Sequence, residues 1–428
     1  TMFRQFFCEV CKMAEIFKLN NGLRVVNEYM PYSKSIAFGI FVKNGSRNET
    51  DEMSGVSHFI EHMLFKGTEK RNAKDIAEDM DSIGCSINAY TAKEYTCYYF
   101  RVLDENIDTA MEILCDMFFN SVFDGNELEK EKRVIYEEIG MYDDQPDDAV
   151  VDKLHTKIWA GSSLGKPILG TKESLSKIDK KQLVEYFNKN YKVDNTVISF
   201  AGNIDRNKAE FYSNKYFGNW KTENLEQYDT KAVYKPVNVN IKKNIEQLHL
   251  CVAFEGLNIF DERRYVLALL NIAVGGGMSS RLFQCIREEL GLVYSIYSYA
   301  SSYADTGLFE ICAELNPEQA DTVIKNIIEN LSIVKNDVLT DRSLKKLKTQ
   351  LKSNIILGQE GVGGTMSAMG RSVVLKNEYI SADTLIKKIE MVTAEDIRKL
   401  ANEIFNIDKL SISLAGNTEN ADIKYIIK

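Results

Sequence analysis

The segment VISFAGNID at 197–205 returns as SISLAGNTE at 411–419, so that Ile198-Ser199-Phe200-Ala201-Gly202-Asn203 matches Ile412-Ser413-Leu414-Ala415-Gly416-Asn417 at an offset of 214. The chain has 428 residues, so the offset is half its length. Other segments agree within a few residues of that offset: YYFRVLDENIDTAMEIL (98–114) and LFEICAELNPEQADTVIKNI (308–327) both read as a strand, a short acidic turn and an amphipathic helix. A unit this long is no solenoid repeat, and the duplication predicts two homologous domains, each with its own core. The boundaries read as an N-terminal extension over 1–12, a first domain over 13–218, a polar linker over 219–240 containing Pro236, and a second domain over 241–428.

Within the first half, GLRVVNEYM and SIAFGIFVKNG are rich in β-branched and aromatic residues, and SINAYTAKEYTCYYFRVL alternates as a strand pair does. Helical periodicity follows over 105–120, 126–143, 148–159 and 173–189, before a strand at 195–201. Strands, then helices, then a returning strand predict an α+β class: two homologous α/β sandwich domains, each a mostly antiparallel sheet with helices on one face.

Composition excludes several functions. Sixty-two acidic residues against fifty-three basic give a net charge of −9, without the basic stripe that nucleic acid requires. The longest apolar runs, such as IAFGIFV (36–42), fall far short of the roughly 18 residues of a membrane span. The first residues show neither an apolar signal core nor an Arg- and Ser-rich transit pattern. Eight scattered cysteines suggest reduced thiols, and the CxxC spacing of Cys8 and Cys11 has no second pair to complete a zinc ribbon.

The chemistry concentrates at SHFIEHMLFKGT (57–68), where two of the chain's four histidines, His58 and His62, stand four apart with Glu61 between them. On the helix expected over 54–66, positions i and i+4 share a face, so both imidazoles can meet one ion while Glu61 lies beside it. Hydrolytic zinc sites need this combination of ligands to hold the metal and a base to take a proton from the attacking water. Catalytic zinc takes three protein ligands, and with His155 and His249 in unrelated contexts the third is expected to be a carboxylate. The acidic helix NELEKEKRVIYEEIGMYDD (126–144) offers Glu137 and Glu138. Glu137 shares its face with Lys130 and Arg133, the wet side. Glu138 shares its face with Val134 and Ile135, expected to be the buried side, and is therefore chosen. Glu131, two turns earlier on that face, is placed to orient either a ligand or the metal-bound water.

With these residues in hand, the stretch 57–103 closely resembles the N-terminal half of the pitrilysin/insulinase family of zinc peptidases, in its processing-peptidase-like branch. The resemblance extends from about Met13 through LGKPILGT (164–171), the FAGN strand and GGGMSSRLFQCIREELGLVYSIYSY (275–299). The family's distal glutamate follows its histidine motif at the distance that separates Glu138 from His62, and its helper glutamate falls on Glu131. At the repeat offset the second half carries NIAVGGGMS in place of SHFIEHMLF, and Lys345 and Lys352 in place of Glu131 and Glu138, so it lacks the ligands.

The resemblance implies that this second half instead supplies an Arg and a Tyr, here Arg287 and Tyr294, to hold the substrate carbonyl and its oxyanion. It also implies that substrate adds as a strand to SINAYT (86–91), with Asn88 and Ala89 flanking the cleaved bond. Further implications are one Zn2+ per chain, a clamshell of the two halves, and a homodimer or a heterodimer with an inactive homologue. A bacterial cytoplasmic setting fits, with the mitochondrial matrix as the alternative. The function so implied is zinc-dependent endopeptidase action on short or unfolded peptides. The rival is a non-catalytic scaffold subunit of a processing-peptidase-like dimer.

Overall fold

The computed structural model describes residues 14–221 and 228–418, so Cys8, Cys11 and the extension that holds them lie outside the described residues. The class is α+β. The first sheet contains β1 (Glu15–Lys18), β2 (Arg24–Tyr29), β3 (Ser35–Val42), β4 (Ser86–Thr91), β5 (Thr96–Leu103) and β6 (Thr196–Gly202), in the order β1-β2-β6-β3-β5-β4. Among the described residues of this sheet, only β2 and β6 pair in parallel. The second sheet contains β7 (Asn238–Lys242), β8 (Leu248–Glu255), β9 (Val293–Ser302), β10 (Gly307–Leu315) and β11 (Ser411–Gly416), in the order β7-β11-β8-β10-β9. Its one parallel pair is β7 with β11, and β6 and β11 are the two copies of the FAGN repeat.

β3 shows that the first sheet is covered on both faces. Its sequence SIAFGIFV is apolar at almost every position, as in strands covered on both sides, and seven of its eight residues are buried. On one face Phe38 packs against Phe100 and Phe200, with ring centroids 5.4 and 4.6 Å apart. On the other face Ala37 and Phe41, with Val26, Val197 and Ala201, pack against Met366, Met369, Val373 and Val374 of helix Val362–Lys376. The close approach depends on two glycines. A Cβ on Gly39 would stand 2.6 Å from the Met366 sulfur, and one on Gly370 would stand 2.1 Å from the Phe41 ring.

The second sheet has the reciprocal arrangement. One face carries the large cluster that includes Leu250, Val252, Phe309, Ile311 and Phe405. The opposite face receives Val150, Leu154 and Ile158 of helix Pro146–Ile158, with Trp159, against Cys251, Ala253, Leu308, Cys312 and Ala415. Each sheet therefore takes the helix for its second face from the other half of the sequence.

The compact units follow this exchange rather than the two consecutive stretches read from the sequence. Among the described residues, one comprises 14–137, 166–221, 228–229 and 356–382, and the other 138–165, 230–355 and 383–418. Helix Gly125–Asp144 is continuous across the division and belongs by most of its length to the first unit.

Two local expectations are corrected. The segment 219–240 is not a free linker throughout, because Tyr234 is buried and its hydroxyl meets Ala253 O, Lys409 O and Ser411 Oγ at 3.1, 2.9 and 2.8 Å. β7 then begins at Asn238 within the same segment. The helix expected over 173–189 is two, Lys172–Lys177 and Lys180–Asn190, the second capped by Asp179, which accepts from the Gln182 N–H at 2.8 Å.

Candidate metal and active site

Helix Val56–Leu64 starts at Gly55, whose φ of +92° lies in the left-handed region. A Cβ there would meet Leu169 O at 2.6 Å, and one on Gly170 would meet Ser54 O at 2.4 Å, so the two glycine backbones lie against each other. The Gly55 and Ser57 N–H groups donate to the two carboxylate oxygens of fully buried Glu49, at 2.7 and 2.8 Å. These donors are among those that a helix start leaves unsatisfied. Lys166 holds the same loop by donating to Glu49 O at 2.5 Å and pairing with Asp51 at 2.9 Å, and Ser174 Oγ donates to Ser54 O at 2.7 Å. The stretch LGKPILGT is thus the seat of the histidine helix.

On that helix Phe59, Ile60 and Met63 are wholly buried, while Glu61 and His62 keep partial exposure. The rings of His58 and His62 lie 4.6 Å apart between centroids, as i and i+4 require. Burial, and then the proximity of His62, push the His58 imidazole down to about 3, so it is neutral and keeps a lone pair for a cation.

Helix Gly125–Asp144 places Glu138 beside this pair. One ligand atom from each of His58, His62 and Glu138 lies within 4.8 Å of the others, and among the described residues no other group of three His, Cys, Asp or Glu side chains does this. Glu137, Lys130 and Arg133 are exposed, as expected for the wet face. The basis for choosing Glu138 needs one correction. Val134 is 48% exposed, and the buried neighbours on that side are Ile135 and Glu131. The inward stripe follows i−3 and i−7, not i−4.

Glu131 accepts from His62 Nδ1 at 3.0 Å through Oε2, and Lys66 Nζ stands 2.8 Å from its Oε1. Burial pushes this carboxyl up, but the hydrogen bonds and charges of His62 and Lys66 outweigh it and leave its pKa below the usual range. An ionised acceptor at Nδ1 assigns the proton of His62 to that nitrogen and leaves the Nε2 lone pair for the metal. Two imidazoles and a carboxylate, with one imidazole oriented from behind, fit a zinc ion that keeps a position open.

Glu61 lies between the histidines in sequence and receives a hydrogen bond at Oε2 from Thr91 Oγ1 at 2.5 Å. Thr91 ends β4, an edge strand of the first sheet. Asn88 is exposed on that strand, its Oδ1 accepting from the Ala89 N–H at 2.8 Å, and Ala89 is half-buried.

Arg287 and Tyr294 belong to the second unit and lie together there. Arg287 sits in the π-helical segment Phe283–Glu289, a geometry that often marks functional positions. Its Nε donates to Tyr294 O at 2.8 Å, its Nη1 pairs with Glu288 at 2.7 Å, and its guanidinium covers the Phe283 ring at 4.6 Å. The Tyr294 side chain is 71% exposed at the start of β9, another edge strand. Both residues line a pocket with Gly275, Met278, Phe283 and Tyr297. Lys345 and Lys352 are exposed on helix Asp341–Gly358. His155 is committed elsewhere, its Nε2 lying 2.7 Å from Glu310 Oε1 in the interior of the second unit.

Glu49, Gly55, Gly170 and Thr91 escaped the sequence reading as site-supporting residues. The glycines immediately before the histidine helix and within LGKPILGT were the available signal. Glu49 had none, since a lone Glu in a polar loop looks solvated.

Residues 24–172 match the Insulinase (Peptidase family M16) model, and residues 177–351 match that of the Peptidase M16 inactive domain. The chain belongs to the M16 peptidase family. Among curated proteins it is 42% identical over 396 residues to "Uncharacterized zinc protease YmxG" of Bacillus subtilis, covering 92% of this chain and 97% of that protein. It is 40% identical over 392 residues to an "Uncharacterized zinc protease" of Rickettsia felis, covering 91% and 95%. A crystal structure described as a protease from Helicobacter pylori shares the fold with a TM-score of 0.88 at 20% identity, covering 94% of this chain and 99% of that one. No helix among the described residues is long and apolar enough to cross a membrane.

Proposed function

We propose that the protein is a zinc metalloendopeptidase that hydrolyses short or unfolded peptides bound as an extended strand. The observation that carries this reading is the His58, His62 and Glu138 triad, with ligand atoms within 4.8 Å and Glu61 on the same helical turn as His62. These three residues would hold one Zn2+ per chain, which when bound lowers the pKa of water and polarises the scissile carbonyl. Glu61 takes the proton from the attacking water and returns it to the leaving amine. Glu131 holds His62 in the tautomer that presents Nε2. β4 offers unpaired backbone along its outer edge, and Asn88 and Ala89 flank the bond to be cleaved. Arg287 and Tyr294 steady the carbonyl oxygen as it gains charge. The reading includes pairing with a second copy or an inactive homologue, and a bacterial cytoplasmic setting.

The test is to incubate purified protein with an unstructured basic peptide and follow cleavage by mass spectrometry, with and without a chelator. Cleavage that stops with the chelator and returns with added zinc is expected. Glu61→Gln should retain zinc and lose about 10²–10⁴-fold in rate, the usual worth of a general base. Full turnover by that variant would refute the mechanism.

A further inference from the structure

We propose that Thr91 is a positioning residue for Glu61, its hydroxyl fixing one carboxylate oxygen so that the other faces the reacting water. The proposal rests on the peptidase reading above. It is carried by the hydrogen bond from Thr91 Oγ1 to Glu61 Oε2 at 2.5 Å, within the short range of hydroxyl-to-carboxylate bonds.

A half-exposed glutamate has three side-chain torsions, and a base that samples them spends little time aimed at its proton. One donor on a rigid mount removes most of that freedom, and the mount of Thr91 is rigid. Thr91 pairs with Thr96 at the end of the β4–β5 ladder, and the hairpin closes through Ala92 N–H to Tyr95 O at 2.8 Å. The tip is then fastened to the segment Gly45–Arg47. Ser46 and Arg47 donate their N–H groups to Ala92 O and Lys93 O at 3.3 and 2.8 Å. A Cβ on Gly45 would stand 2.2 Å from Ala92 O, so only glycine permits this approach. Arg47 Nη1 pairs with Glu94 at 2.8 Å, their side chains 3% and 9% exposed. Such a buried ion pair holds position strongly, because removing either partner strands a charge.

The strand that would receive the peptide therefore also holds the base. Because Thr91 follows Asn88 and Ala89 on one short strand, peptide register and base orientation share a single mount.

The experiment measures Thr91→Val and Thr91→Ser against wild type. Thr91→Val keeps the shape and removes the donor, while Thr91→Ser keeps the donor. For Thr91→Val, kcat is expected to fall about 10–100-fold, the usual cost of losing an outer hydrogen bond to a working group, with KM within about threefold and zinc content unchanged. Thr91→Ser is expected to recover kcat to within about threefold of wild type, since it restores the same hydrogen bond. Peptide affinity is measured by fluorescence anisotropy in the cleavage-dead Glu61→Gln background, where adding Thr91→Val is expected to leave Kd unchanged. The assignment is overturned if Thr91→Val retains wild-type kcat, if Thr91→Ser is equally impaired, or if Kd weakens about tenfold in the Glu61→Gln background, a loss of about 1.4 kcal/mol that would place Thr91 in substrate binding instead. A wild-type protein that cleaves nothing removes the peptidase reading and this assignment together, whereas a cleaving wild type with an unimpaired Thr91→Val removes the assignment alone.

Discussion

Glu131→Gln isolates the second layer of the metal site. The wild-type carboxylate, its side chain only 6% exposed, accepts from His62 at 3.0 Å and lies 2.8 Å from Lys66. Glutamine has the same shape but one oxygen and no charge. If the oxygen faces His62, the amide NH2 opposes the Lys66 ammonium. If it faces Lys66, the NH2 donates to His62 Nδ1 and moves the imidazole proton to Nε2, the nitrogen required for metal. Either way one charge-assisted bond is lost, worth about 1.5–3 kcal/mol, which agrees with the usual 10–100-fold cost of losing a ligand's outer partner. Zinc affinity is read by competition with a chromophoric chelator at pH 7.5, with thermal unfolding of the apo-protein as the control for folding. A Kd within threefold of wild type would show that Glu131 does not orient His62, and the account of the tautomer would fall.

Two predictions concern the scaffold. Burial pushes the Glu49 carboxyl up from 4.5 to about 7, against the Ser57 and Gly55 N–H groups and the Lys166 charge. An acid whose folded pKa stands above its unfolded one gives the fold an extra proton between about pH 4.5 and 7, so stability falls as pH rises through that window, by about 3 kcal/mol. Urea unfolding across this range should show the slope in wild type and a flatter profile in Glu49→Gln; equal slopes would contradict the assignment. Gly370→Ala drives a methyl group into the Phe41 ring and should cost about 1–3 kcal/mol, with part recovered by Phe41→Leu in the same chain. A fully stable single variant would mean that the helix does not seat on β3 as described.

The repeat and the His-x-x-Glu-His helix were legible because both are local: a strand returning at a fixed offset, and two imidazoles one helical turn apart. Glu138 was reached by reading one helix face, and it lies near His58 and His62 although Val134 on the same face is exposed. The helix rolls so that its buried stripe passes through Leu128, Glu131 and Ile135. The exchanged helices were not legible. Amphipathic periodicity says that Val150, Leu154 and Ile158 need an apolar partner, without saying which sheet provides it. The same holds for Tyr234, whose hydroxyl partners Ala253, Lys409 and Ser411 are scattered through the sequence. Thr91 bonds a carboxylate thirty residues away, and Glu49 accepts from two backbone N–H groups of a nearby helix start, contacts of which composition carries no trace.

The central claim is one coordination sphere, and X-ray absorption at the zinc edge of the loaded protein tests it most directly. The account predicts one equivalent of zinc with only nitrogen and oxygen donors at about 2.0–2.1 Å and the outer-shell scattering of two imidazoles. A sulfur shell near about 2.3 Å, from any of the eight cysteines, would contradict it, as would scattering from fewer than two imidazoles.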